Sequence, residues 1–184
     1  MSRRTQILIG VLAVVAIAVA YFVLRPAGDR VAIDLIEQLP KAKDRRPSPD
    51  VFTIVDATLA GKLEHAILTK QPSRIKYNVT VPDQAWLKIS LGLLEEAWKI
   101  PGDGVLFQVG ASSGPEYVEL LSLVVNPYGN PSDRGWTPMV LDLSQFAGEN
   151  IDLIFNTYSS PPPNTGKDAN GDMALWGAPR IVIR

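Results

Sequence analysis

The chain has 184 residues, with 18 Lys and Arg against 19 Asp and Glu, four Trp, one His and no Cys. The lack of Cys excludes disulfide frameworks, Cys-ligated zinc, iron–sulfur clusters and thiol catalysis, and one His rules out a multi-histidine metal centre. Near-neutral charge removes the electrostatic case for nucleic-acid binding, and the length suits one globular domain plus an additional segment.

That segment opens the chain. Residues 7–24, bounded by Ile7 and Leu24, carry no charge and lie between Arg3–Arg4 and Arg25. As a helix they span about 27 Å, just short of a hydrocarbon core. Snorkelling arginines and the Tyr21–Phe22 pair take up the shortfall, which predicts a transmembrane anchor over residues 1–28. A cleaved signal peptide is the rival, because Ala18-Val19-Ala20 has the small-x-small form, although the apolar run continues through Leu24. Either way Arg3 and Arg4 stay in the cytoplasm and the remainder is exported across the inner membrane, as in a bacterial envelope protein. Outside the anchor, 15 basic residues face 19 acidic ones.

Residues 29–50 read as a juxtamembrane segment and linker. Val31, Leu35 and Leu39 stand at four-residue spacing, so a short helix near the membrane is open, as is a strand over Val31–Ile36. Residues 40–50 combine Pro40, Pro47 and Pro49 with Lys41, Lys43, Arg45 and Arg46, the composition of a solvated tether.

From Val51 the pattern turns to period two. Ile75, Tyr77, Val79 and Val81 alternate with polar neighbours, as do Leu87, Ile89 and Leu91, then Val105, Phe107 and Val109, then Ile151, Leu153 and Phe155. Further strands are expected at 51–56, 63–69, 117–125, 137–143 and 180–183. Turn clusters at 60–62, 71–73, 101–104 and 126–135 separate them. Short strands of this number without a long helix predict an all-β antiparallel sandwich over 51–184.

Several segments follow one another in a familiar order: Ser73-Arg74-Ile75, Val79-Thr80-Val81-Pro82, Leu91-Gly92-Leu93 with Ala97-Trp98, and Gly102-Asp103-Gly104-Val105. Asp133-Arg134-Gly135-Trp136, Leu141-Asp142-Leu143-Ser144-Gln145-Phe146-Ala147-Gly148 and Ala174-Leu175-Trp176-Gly177-Ala178-Pro179 complete the set. The ordered set resembles the galactose-binding-like jelly-roll domains of membrane-anchored bacterial envelope proteins. That resemblance implies a jelly roll and, in some members, a structural calcium. It does not transfer a function, because the superfold serves sugar binding, protein binding and scaffolding alike. Within it, Asp142 or Ser144 can cap a single helical turn through Phe146, with Gly148 closing it.

Candidate sites each have a plainer reading. Trp98, Trp136 and Trp176 suit aromatic plugs at the ends of a core, or exposed platforms for a ligand, with Asn164 in the long loop 158–172 as a further contact. Asp168, Asn170 and Asp172 stand at alternate positions, a spacing that brings oxygens together on Ca²⁺. The sixth loop position is Met173 and the twelfth is Pro179, so a calcium hand is rejected and an Asx-rich turn is the plainer reading. His65 shares a strand face with Leu63 and Ile67, and no nucleophile motif accompanies it. Glu95 and Glu96, read as adjacent residues on a strand, point apart. The sequon at Asn78 lies mid-strand.

No catalytic residue is expected, and no cofactor apart from structural calcium. The leading expectation is a non-enzymatic, single-pass accessory or scaffold subunit whose exported sandwich contacts other subunits of a membrane complex. The first alternative is a membrane-tethered carbohydrate-binding module, which requires at least one Trp more than half exposed beside polar groups. The second is a non-catalytic partner of an envelope glycosyltransferase or sulfatase-like enzyme. Nucleic acid is excluded as a partner; the lipid bilayer, through the anchor, is expected.

Overall fold

The period-two segments form strands, and their apolar beat decides which side of each faces inward. The computed structural model describes residues 28–70, 72–159 and 169–184. Among them are β1 (Arg30–Asp34), β2 (Asp44–Arg46), β3 (Phe52–Leu59), β4 (Lys62–Thr69), β5 (Ser73–Thr80) and β6 (Ala85–Leu93). β7 (Val105–Ser113), β8 (Glu116–Val125), β9 (Thr137–Asp142), β10 (Asn150–Tyr158) and β11 (Ala174–Ile183) follow. One sheet has the order β3-β4-β11-β6-β9, with β1 also paired to β11, and the other has the order β2-β5-β10-β7-β8. Every pairing is antiparallel. The result is the expected all-β sandwich of two antiparallel sheets.

Between the sheets the inward residues meet. Ile75, Tyr77 and Val79 of β5 face Leu87, Ile89 and Leu91 of β6 in one buried cluster. Its centre is aromatic: the Trp176 ring lies 4.8 Å from Phe107, edge to face, and 4.9 Å from Phe155. Burial raises the Tyr77 hydroxyl pKa well above its ordinary value, and that hydroxyl has no hydrogen-bond partner among the described residues. The capped turn expected after β9 is present. The Ser144 amide donates to Asp142 Oδ1 at 2.8 Å, a 3-10 turn spans Ser144–Phe146, and Gly148 adopts φ +78°.

Two expectations need correction. Residues 40–50 are not a solvated tether, since β2 within them pairs with β5, and residues 29–39 belong to the body: β1 pairs with β11, and Leu35, Ile36 and Leu39 are buried in the core. The body therefore begins some twenty residues before Val51, and strand, not helix, fills the start of the juxtamembrane segment. β11 also begins at Ala174, not at 180, because a register shift between Gly177 and Arg180 absorbs Ala178 and Pro179 without ending the strand. Among the described residues no helix is long and apolar enough to cross a membrane. The anchor expected over residues 1–28, with Arg3, Arg4, Ile7, Tyr21, Phe22 and Leu24, lies outside the described residues apart from Gly28.

Candidate functional site

The outer faces of the two sheets differ in kind. On the six-stranded sheet, Ala57, Leu59, Ala66, Leu68 and Leu175 form a second apolar cluster, roofed by Trp98 and Trp136. The Trp136 ring lies over β11 and β6 where Gly177 and Gly92 present no side chain: a Cβ at Gly177 would meet it at 2.6 Å, and one at Gly92 at 3.3 Å. Both roof indoles spend their N–H groups on backbone. Trp136 Nε1 donates to the Lys62 carbonyl and Trp98 Nε1 to the Leu93 carbonyl, each at 2.9 Å. The fourth indole, Trp86, has the Arg184 guanidinium 4.9 Å above its ring.

The five-stranded sheet carries a different surface. Its register places Arg46, Arg74, Asn156, Gln108 and Ser122 in one row across β2, β5, β10, β7 and β8. At about 4.8 Å per strand the row runs roughly 19 Å. Arg74 Nε donates to Asn156 Oδ1 at 2.8 Å, and Gln108 Nε2 donates to Glu119 Oε2 at 3.2 Å and to Ser122 Oγ at 3.3 Å. Asn156 is only 5% exposed.

Beside this row stands an aromatic ring. Tyr117 is 52% exposed, and its ring lies on the backbone of β7 at Gly110, where a Cβ would sit 2.5 Å from Cε2 and Cζ. Only glycine leaves room for that approach. Burial of one side raises the Tyr117 hydroxyl pKa, followed by the charges of Glu119 and Tyr158, while Arg74 acts in the opposite direction. Gly110 lies two residues along β7 from Gln108, which sets the ring beside the polar row. At the β2 end the row meets a cavity of about 380 Å³ between Arg46, Pro47, Pro72, Arg74, Asn156 and Tyr158.

An aromatic face held against the backbone, next to oriented amide, guanidinium and carboxylate groups, suits a flat ligand with one apolar face and several hydroxyls at its rim.

The residues singled out from the sequence are scattered. Trp176 is 0% exposed, so it packs the core and offers nothing to a ligand. Trp98 and Trp136 are half-buried roof residues, and no Trp reaches the half exposure that the glycan alternative required. Asn164 and Asp168 lie outside the described residues. Asn170 is exposed in a turn, whereas Asp172 is buried and shares a crevice with Pro72, Thr157 and Tyr158, residues that also line the 380 Å³ cavity. Among the described residues no group of three or more His, Asp or Glu side chains can hold a metal ion. Glu95 and Glu96 sit on a 3-10 turn over Glu95–Lys99, so the argument from strand geometry does not apply to them. They line a separate cleft with Asp56 and Trp98. His65, on the expected strand face, is nevertheless exposed and has Nδ1 2.6 Å from Asp56 Oδ1. Asn78 donates to Asn150 Oδ1 and Asp152 Oδ1.

Tyr117, Gln108, Asn156 and Arg74 were not among the expected site residues. Their sequence signal is faint but physical: each is a polar or aromatic residue on the outward beat of a strand.

No family model matches the chain. An uncharacterized protein of Archaeoglobus fulgidus is 33% identical over 150 residues, 80% of this chain and 36% of that protein. The chain thus spans about a third of that relative's length. Among solved structures, the M60 catalytic domain with the CBM51-1 and CBM51-2 domains of Clostridium perfringens ZmpB matches with a TM-score of 0.51 and 12% identity. The match covers 77% of this chain and 14% of that one. What is shared at that identity is the fold. A CBM51 of Clostridium perfringens GH95, in complex with methyl-galactose, is 16% identical with a TM-score of 0.48, over 81% of this chain and 98% of that one. TmCBM61 in complex with beta-1,4-galactotriose is 11% identical with a TM-score of 0.49, over 77% and 88%.

Proposed function

We propose that the sandwich is a non-catalytic carbohydrate-binding module that holds a glycan on the outer face of its five-stranded sheet. Tyr117 is the stacking platform, Arg74, Gln108 and Glu119 hydrogen-bond the sugar hydroxyls, and the nearly buried Asn156 orients Arg74. The observation that carries this reading is the Tyr117 ring seated on Gly110 beside the polar row. A fold shared with a chain that includes CBM51 domains supports it. The scaffold-subunit reading rests on topology alone, whereas the exposed aromatic that glycan binding needs is supplied by Tyr117 in place of the expected tryptophan. In this reading residues 7–24 tether the module to a membrane and the sandwich samples glycans on its exported side.

Affinity electrophoresis of the detergent-solubilised full chain through gels holding a panel of soluble polysaccharides tests the proposal. At least one polymer retards the wild type, and Tyr117→Ala restores its mobility. Free migration through every polymer, or retardation that Tyr117→Ala leaves unchanged, overturns it.

A further inference from the structure

Arg46 and Arg74 are direct cross-strand partners on neighbouring strands, on the face that carries Tyr117. Like charges directly opposite each other in a sheet are destabilising. The fold relieves the repulsion on one side only. Arg46 Nε pairs with Asp44 Oδ2 at 2.7 Å, while Arg74 has no ion pair among the described residues. Arg74 instead has its Nε fixed by the nearly buried Asn156 at 2.8 Å. A guanidinium held through Nε keeps its plane and leaves both terminal NH₂ groups as donors, the fork that accepts a carboxylate in two parallel bonds. Both arginines line the 380 Å³ cavity, where Pro47, Pro72 and Tyr158 stand beside the polar Ser73, Asn156 and Thr157. The prolines and Tyr158 suit the apolar face of a sugar ring better than the hydration shell of a free inorganic anion.

We infer that this cavity is a subsite for a carboxylate-bearing sugar, a uronic acid, whose carboxylate is taken by Arg74 with Arg46 beside it. This rests on the proposed function and names its ligand class: an acidic glycan with one ring over Tyr117 and a uronate at the arginine pair. The anion also relieves the repulsion that the cross-strand pair otherwise carries.

The experiment titrates the full chain by calorimetry with oligomers of galacturonate, mannuronate and hyaluronan, each beside its carboxyl-reduced neutral counterpart. The wild type binds at least one acidic oligomer roughly ten- to hundredfold more tightly than the neutral form, and the preference shrinks as salt rises. Arg74→Gln, which keeps an amide near Asn156, removes the preference. Arg46→Gln, at an exposed position on the edge strand β2, reduces it. Thermal melts of both variants establish that they are folded. Equal binding of acidic and neutral oligomers, or a preference that both variants retain, overturns the subsite and leaves glycan binding standing. Binding of no oligomer, together with free migration on the polysaccharide panel, removes both.

Discussion

Gly110→Ala separates the glycan platform from the fold that bears it. A Cβ at this position would stand 2.5 Å from two atoms of the Tyr117 ring, inside any real contact distance, so the ring must leave its seat. It has somewhere to go, since its other side is open. Tyr117 is 52% exposed, which for a side chain of roughly 200 Å² leaves about 100 Å² open. A sugar ring covering half of that removes about 50 Å² from water. At roughly 25 cal/mol per Å² this contributes about 1.3 kcal/mol, or about tenfold in Kd. Stability moves little: the ring loses its contact with β7, while alanine relieves the entropic penalty of glycine in a strand by about 0.5–1 kcal/mol. The expected result is a melting temperature close to wild type with calorimetric affinity for the retained glycan about tenfold weaker. A folded Gly110→Ala protein with unchanged affinity refutes the reasoning, because the added methyl excludes the native ring position.

The remaining predictions concern the frame. Trp176→Ala removes the centre of the aromatic cluster and costs about 3–5 kcal/mol in urea unfolding. Trp136→Ala loses one hydrogen bond to Lys62 and half-buried packing, so it costs about 2 kcal/mol and leaves glycan affinity intact, since the indole lies on the opposite sheet. Burial works to raise the Asp152 pKa, but hydrogen bonds from Lys43 and Asn78 and the charges of Lys43 and Lys76 outweigh it and hold it below the usual Asp range. The stabilisation is complete above the unfolded-state value of about 3.9 and fades as pH falls through the lower folded-state value. The melting-temperature gap between wild type and Asp152→Asn, present at neutral pH, therefore closes below that range. For the tether, the full chain stays with carbonate-washed membranes and a variant lacking residues 1–28 is released; a full chain in the soluble fraction removes the tether.

How far the molecule could be read from its sequence depended on how local each signal was. Ile75, Tyr77 and Val79 fix the inward side of β5 without reference to any other strand, and the same holds for β6, β7 and β10. Residues 40–50 were misread because prolines and cations describe a linker locally, whereas β2 within them is paired by β5, and the choice between helix and strand before them is settled by β11, far away in the chain. The site failed for the same reason. Arg74, Gln108 and Asn156 are unremarkable polar positions until β5, β10 and β7 are known to be neighbours in that order. Indole content drew attention to Trp98 and Trp136, but the small residues below them, Ala66, Gly92 and Gly177, make them roof tiles.

The contrast between the two outer faces also bears on why the glycan reading selects one of them. A binding surface must hold polar groups in place while leaving them something to offer, because each hydrogen bond to a ligand counts only as an exchange against water. Over the six-stranded sheet, the N–H groups of Trp98 and Trp136 are already consumed by carbonyls, and their rings cover apolar residues. Over the five-stranded sheet, the internal bonds use one donor of Arg74 and the amide of Gln108, which orients both side chains and leaves the rest of the guanidinium uncommitted. Tyr117 adds a large ring on that face whose open side is not needed by the fold. Such a surface is small for a single ligand, and the ordering costs of association leave it only modest monovalent affinity. A module of this kind gains most from being held close to a polymer that presents many copies of its ligand, which is what a membrane tether beside a repeating acidic glycan supplies.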